Sequence, residues 1–301
     1  MRRFLPLLLL LLGALPVRGQ QQECAAGPAP AGYTIQEIQV GDEVRRYVLY
    51  IPPGYDGRQR LPLLLSFHGF TSNAAEQAAI TAFDVIADRE GVVLAFPQGL
   101  GRTPRWANGT SLFTPLDDPA DVQFAAALVD TLTAELCIDS ARVFATGFSA
   151  GGGMAHRLAC EMADRITAIG TMSGAFASIP GGCQPVRPVP VIALHGTADF
   201  IVPIGGAGEV LPDTAEWARE WAQRNNCQST VELTGEGYTR YEYGQCDEGV
   251  AVHYIVVEGL AHTWAGTPAP SGSARLAPGP QHISASETMW SFFTSLKPGT
   301  H

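Results

Sequence analysis

Lysine is almost missing from this chain: Lys297 stands alone against 18 arginines. That is a mark of GC-rich coding and carries no mechanism. Charge is scarce too, at 16% of residues, while 46% are hydrophobic. Such a balance excludes global disorder and allows a large buried core. Basic excess is also lacking, with 19 Lys+Arg against 29 Asp+Glu and a net charge of −10. This argues against nucleic acid or an anionic membrane surface as partner. No CxxC pair occurs, and no Cys/His spacing resembles a zinc site, so neither a metal nor a cofactor is expected. Past the first residues, no apolar run is long enough to cross a bilayer. No internal repeat is visible.

The chain begins Met-Arg-Arg, continues with an apolar run over residues 4–12, and reaches small residues by Gly19. This is the layout of a signal peptide over residues 1–19. The remaining residues 20–301 suit a single α/β catalytic domain, expected to be secreted and monomeric. Six cysteines follow the leader, and an even count bound for an oxidising compartment favours three disulfides. The expected pairs are Cys160–Cys183, Cys227–Cys246 and, as what remains, Cys24–Cys137. The first would tie a helix to the loop after it, and the second closes a short segment.

Strand and helix patterns alternate. Two strands at 38–40 and 45–51 flank a turn at Gly41-Asp42. Short apolar runs at 63–67, 92–96, 142–146, 168–172, 189–195 and 252–257 read as strands covered on both faces. Helical spacing occupies 74–89, 121–136, 150–162 and 213–225, and a last helix opens on the capping pair Ser284 and Glu287. The order implies a mostly parallel sheet of about eight strands with helices on both faces. The Pro/Gly/Ser-rich stretch 266–281 falls inside this order and reads as a surface loop.

Gly147-Phe148-Ser149-Ala150-Gly151 is a G-x-S-x-G pattern between a buried strand and a helix, the context an α/β-hydrolase nucleophile needs. Ser149 is the expected nucleophile; a glycine-rich turn without chemistry is the bland alternative. A serine hydroxyl needs a base, and the base an orienting acid, in the chain order Ser, acid, His. Asp199 lies just past a strand end and is the expected acid, with Asp213 and Glu209 as weaker candidates. His262 follows the last strand and is the expected base. His68 and His195 precede glycines at strand ends and should brace loops. His156 should point away from the site, and His253, His282 and His301 have no evident role. The second oxyanion donor should come from the backbone N–H of Phe70, with Thr71 next, alongside that of Ala150. Trp106 and Trp264 are expected as aromatic walls of an open cleft. The gap between Met172 and Val189 is too short for a helical lid.

Taken together, His68-Gly69-Phe70, residues 96–99 with Trp106, Asp121-Val122 with Phe124, residues 142–152, residues 195–199 and residues 259–264 carry a resemblance. The chain resembles the secreted α/β-hydrolase esterases that group feruloyl and acetylxylan esterases with polyhydroxybutyrate depolymerases. The likeness runs from about Tyr33 to Phe293. It implies the same triad, Ser149, Asp199 and His262, in a serine carboxylesterase. Ala261 and Ala265 stand where the family often has glycine and proline, which blurs the subfamily. The reading is an esterase for short acyl or hydroxycinnamoyl esters of plant-wall polysaccharide. Alternatives are a polyester depolymerase, a prolyl-peptidase-like hydrolase, for which no propeller or cap fits, and a non-catalytic binding module.

Overall fold

Three central runs, β4 (Val93–Pro97), β6 (Ala168–Met172) and β7 (Val191–Gly196), are buried at every residue. In β3 (Leu61–Phe67) only Leu61 is half-exposed. Continuous burial is what a parallel strand shows when helices cover both faces. The computed structural model describes residue 24 and residues 26–108, 118–179, 181–208, 210–266 and 282–296. The further strands are β1 (Gly32–Val40), β2 (Glu43–Ile51), β5 (Ile138–Phe148), β8 (Ser229–Gly235), β9 (Tyr238–Gly244) and β10 (Val252–Val257). The sheet runs β1-β2-β4-β3-β5-β6-β7-β10-β9-β8. Its centre, from β4 through β10, is parallel, and both ends are antiparallel.

Alternation within the strands divides the core into two layers. Leu63, Leu65 and Phe67 pack on one face with α3 (Ala120–Glu135), α4 (Ala150–Glu161) and α5 (Thr214–Arg224). Leu64 faces the other way, toward α1 (Ala74–Thr81), α2 (Phe83–Glu90) and α6 (Ala285–Ser295). Met289, Trp290 and Phe293 of α6 point inward as expected.

The sheet has ten strands where the sequence suggested about eight. The missed pair, β8 and β9, forms an antiparallel edge hairpin that no helix covers fully. Its residues are exposed or half-exposed on both faces, so the alternation that betrays a strand is absent. The expected helix over 74–89 is two helices, broken at Ala82, which adopts a left-handed φ of 48°. β1 starts at Gly32, earlier than the expected residue 38. All three expected disulfides form, and Cys24–Cys137 spans a sequence separation of 113. No helix lies among the described residues between β6 and β7. The leader and the loop residues 109–117 and 267–281 lie outside the described residues.

Sequence reasoning missed a buried ion pair. Arg45 on β2 reaches Asp121 on α3 with a 2.7 Å contact, and both side chains are almost fully enclosed. The guanidinium also lies 4.1 Å from the centre of the Phe124 ring. The other carboxylate oxygen of Asp121 accepts the Ala107 N–H at 2.7 Å. Asp121→Ala would leave a buried, unpaired arginine. It should lower the unfolding free energy by about 3–5 kcal/mol, read as a lower urea midpoint. Arg45→Met with Asp121→Leu should recover part of that loss.

Candidate active site

Ser149 sits between β5 and α4 with φ 54° and ψ −120°. That left-handed conformation is strained for any residue but glycine. The neighbouring glycines make it possible. A Cβ on Gly147 would lie 2.1 Å from the Gly151 carbonyl oxygen, and one on Gly151 would lie 2.0 Å from that of Phe67. Both are impossible approaches to backbone. Ser149 occupies the N-cap position of α4, yet its side chain makes no capping bond. The hydroxyl is thus unspent on structure, and the first N–H groups of α4 remain open to an anion.

Asp199 follows β7, and its Oδ1 accepts the N–H groups of Ile201 at 3.0 Å and Val202 at 2.9 Å. Its Oδ2 accepts from His262 Nδ1 at 2.8 Å. Burial alone would raise the carboxyl pKa; the bonds from His262 and Val202 and the proximity of Ser173 outweigh it and hold the group below the usual value. Asp199 therefore stays ionised. The His262 loop reaches it because residue 196 is glycine: a Cβ there would lie 2.0 Å from the Leu260 carbonyl oxygen. Ala198 N–H donates to that same oxygen, and Thr197 Oγ1 accepts the Gly259 N–H. With Nδ1 committed to Asp199, Nε2 of His262 is the free ring nitrogen. The Phe148 ring packs against His262 with centroids 4.8 Å apart. Among the described residues Ser149 Oγ makes no hydrogen bond, and such catalytic contacts commonly tighten only with substrate.

The loop after β3 runs beside the nucleophile, since a Cβ on Gly69 would touch Ser149 Cβ at 3.4 Å. Thr71 is excluded as an oxyanion donor, because its N–H already donates to the Pro104 carbonyl at 3.0 Å. The Phe70 N–H has no such partner among the described residues, nor does that of Ala150. His68 accepts the Gly99 N–H at Nε2 and donates from Nδ1 to the Gly69 carbonyl. This fixes its tautomer, and burial depresses its pKa, so it is a neutral brace. His195 likewise donates from Nε2 to the Val202 carbonyl at 2.7 Å, bracing the acid loop.

Trp106 and Trp264 are not cleft walls. Trp106 is 1% exposed; its Nε1–H donates to the His68 carbonyl at 2.8 Å, and its ring meets Phe67 edge-on. Trp264 is equally buried, donating to Ser286 and packing against Phe83 and Phe148. Large rings with one polar handle suit such interior positions. The apolar groups left open are instead Phe70 at 45%, Phe200 at 88% and Ile201 at 64%, on the loops after β3 and after β7, the second of which carries Asp199.

Asp213 caps α5 and stands outside the constellation. Glu209 and His301 lie outside the described residues. His156 accepts the indole N–H of Trp221 at 3.2 Å, and burial, helped by Arg224, pushes its pKa down to about 3. With Cys160 and Cys183 it forms the one group of metal-ligating types among the described residues, but the two sulfurs form a disulfide and offer no thiolate. His253 packs on Phe292, and His282 lies near Glu236.

An α/β sheet of this order with a serine elbow, an ionised acid and a histidine at its strand ends defines the α/β-hydrolase class. Comparison with known proteins narrows it. The family model described as Esterase PHB depolymerase matches residues 45–182. Feruloyl esterase C of Emericella nidulans is 31% identical over 257 residues, covering 83% of each chain. Feruloyl esterase B of Piromyces equi is 30% identical over 233 residues, 72% of this chain but 42% of that protein, so the chain spans less than half of that relative. The solved acetyl xylan esterase from Aspergillus awamori matches with a TM-score of 0.62 at 14% identity, over 87% of this chain and 100% of that one, which shows the shared fold. The chain belongs to the Esterase PHB depolymerase family and is a carboxylesterase.

Trp106→Phe should lower kcat for acetyl and feruloyl esters by the same factor, with KM little changed, because the lost bond steadies the His68 carbonyl. Steady-state kinetics on both esters decides it. A KM rise confined to the aryl ester would return the ring to the substrate.

Proposed function

We propose that Ser149, Asp199 and His262 are the nucleophile, orienting acid and base of an acyl-enzyme mechanism. The contact that carries this reading is His262 Nδ1 to Asp199 Oδ2 at 2.8 Å, beside a serine held out on a left-handed turn. Nε2 takes the Ser149 proton as Oγ attacks the ester carbonyl, and Asp199 stabilises the imidazolium that forms. The carbonyl oxygen becomes an anion and is met by the N–H groups of Ala150 and Phe70, at the positive end of α4. The imidazolium then protonates the departing alcohol. Water, activated by the same nitrogen, releases the acid.

The substrate proposed is a short acyl or hydroxycinnamoyl ester of plant-wall polysaccharide, cleaved outside the cell by residues 20–301 acting as one domain. Relatives named as feruloyl and acetyl xylan esterases support it. So do three disulfides, which suit an oxidising compartment. Apolar side chains at Phe70, Phe200 and Ile201 offer contact for a ring or a short chain. No helix among the described residues is long and apolar enough to cross a membrane. Among the described residues no lid helix separates β6 from β7 to shelter a long acyl tail from water.

Turnover should be compared on methyl ferulate, acetylated xylan, p-nitrophenyl acetate, p-nitrophenyl decanoate and polyhydroxybutyrate. Higher kcat/KM for feruloyl and acetyl esters than for decanoyl is expected. A preference for decanoyl would overturn the substrate reading, and release of hydroxybutyrate without feruloyl turnover would assign polyester instead. Ser149→Ala should fold normally and lose roughly 10⁴-fold or more in kcat, because the triad works as a unit. It should also lose labelling by a fluorophosphonate probe. Activity retained within about tenfold of wild type would remove Ser149 from the mechanism.

A further inference from the structure

Ser173 lies one residue past β6, fully buried, with φ 49°. Its backbone is pinned on both sides. Its own N–H donates to the Leu194 carbonyl at 2.9 Å on β7, while Met172 and Ala175 on either side bond the backbone of Ser149. Gly174 presses on α4, where a Cβ added to Gly152 would lie 2.8 Å from its Cα. Residues 172–175 thus form a bridge between the nucleophile turn and the strand that delivers Asp199.

The hydroxyl at the centre of that bridge is buried and has no partner of its own. A buried donor left unused is costly. Beside it stands a carboxylate with capacity to spare. A carboxylate offers about four acceptor sites. Asp199 fills three, with Ile201 N–H, Val202 N–H and His262 Nδ1. Pairing of Met172 with Leu194 and the Ser173 N–H bond to the Leu194 carbonyl put this residue beside the end of β7, from which the Asp199 loop departs, and Ser173 is among the groups that hold the Asp199 carboxyl below its usual value.

We infer that Ser173 is a positioning residue of the triad, whose hydroxyl donates the fourth hydrogen bond to Asp199 and locks the carboxylate for His262. The inference rests on the triad reading above. It also gives a reason for a non-glycine residue at a left-handed position: glycine would relieve the strain but bring no donor. The titratable groups around the Asp199 carboxylate are His262, whose Nδ1 lies 2.8 Å from Oδ2, and His195, whose Nε2 lies 3.6 Å from the same oxygen. His195 is buried and spends its ring N–H on Val202, so it remains neutral.

The sign of the expected pH effect follows. A hydroxyl donor draws charge from the carboxylate. Without it Asp199 attracts the imidazolium proton more strongly, and the acid limb of the kcat/KM profile moves to higher pH. Two variants test this with p-nitrophenyl acetate, a substrate that any serine esterase of this kind should turn over. Ser173→Ala removes the hydroxyl; Ser173→Gly removes it and relaxes the backbone. Both should lower kcat by roughly tenfold to a hundredfold, leave KM nearly unchanged and shift the acid limb upward. Ser173→Gly should do so with Tm at or above that of the wild type. Wild-type activity in the glycine variant would show that only backbone geometry matters and overturn the inference. So would a fall in kcat with the acid limb unmoved. Absence of wild-type turnover on p-nitrophenyl acetate would instead refute the esterase reading itself.

Discussion

The left-handed turn at Ser149 is the constraint around which the molecule is arranged. A serine does not rest at φ 54° and ψ −120° unless its surroundings leave no alternative. Here three segments hold it. Its N–H donates to Met172, its carbonyl accepts from Ala175 and Gly153, and the next turn of α4 is pressed against the Phe67 and His68 carbonyls. These approaches exist only because residues 147, 151 and 153 lack a Cβ; one on Gly153 would stand 2.1 Å from the Ala175 carbonyl oxygen. The strain has a return. The hydroxyl leaves the helix cap, and the α4 N-terminus keeps its donors open to an anion.

The loops around that turn are braced by buried polar contacts more than by packing. Trp106 fixes the His68 carbonyl, His68 fixes Gly69 and Gly99, and Asn108 reaches the Ala150 carbonyl at 2.6 Å. Residues 105–108 are themselves held from below, because Ala107 donates to Asp121 and accepts from Arg157. Asp121 in turn neutralises Arg45. A chain of contacts therefore runs from β2 through α3 to the backbone after the nucleophile. Such networks specify one arrangement when every member is paired. Asp121 and Phe124, distant in sequence, are thereby tied to the segments around Ser149.

The placement of Ser149, Asp199 and His262 was legible because its signals are local. Gly-x-Ser-x-Gly at a strand–helix junction and short polar segments just past apolar runs place Ser149, Asp199 and His262 at one end of a parallel sheet whatever the loops do. The disulfides were legible from spacing and compartment. The tryptophans were misread because exposure is not a local property. The sequence around Trp106 is polar and loop-like, and nothing in it announces that the indole turns inward to reach His68. Thr71 was open for the same reason: only the fold reveals that Pro104 takes its N–H. The hairpin of β8 and β9 escaped because both of its faces see water, which erases the two-residue hydrophobic period. The Arg45–Asp121 pair joins residues 76 positions apart, beyond any pattern a linear reading can detect.

The acid loop shows how one hydrogen-bonding choice shapes the surface around it. Asp199 spends its Oδ1 on the N–H groups of Ile201 and Val202, which folds the chain back on the carboxylate in a tight turn. Val202 is buried, and its carbonyl is taken by His195. With that end anchored and the amides facing inward, the side chains of Phe200 and Ile201 are left to solvent. Two large apolar groups beside an enclosed carboxylate would be a poor arrangement for solubility alone. Beside the proposed active site they offer contact surface. The same turn that holds the Asp199 carboxylate against His262 also sets the exposed apolar edge of Phe200 and Ile201, so both features arise from one local fold.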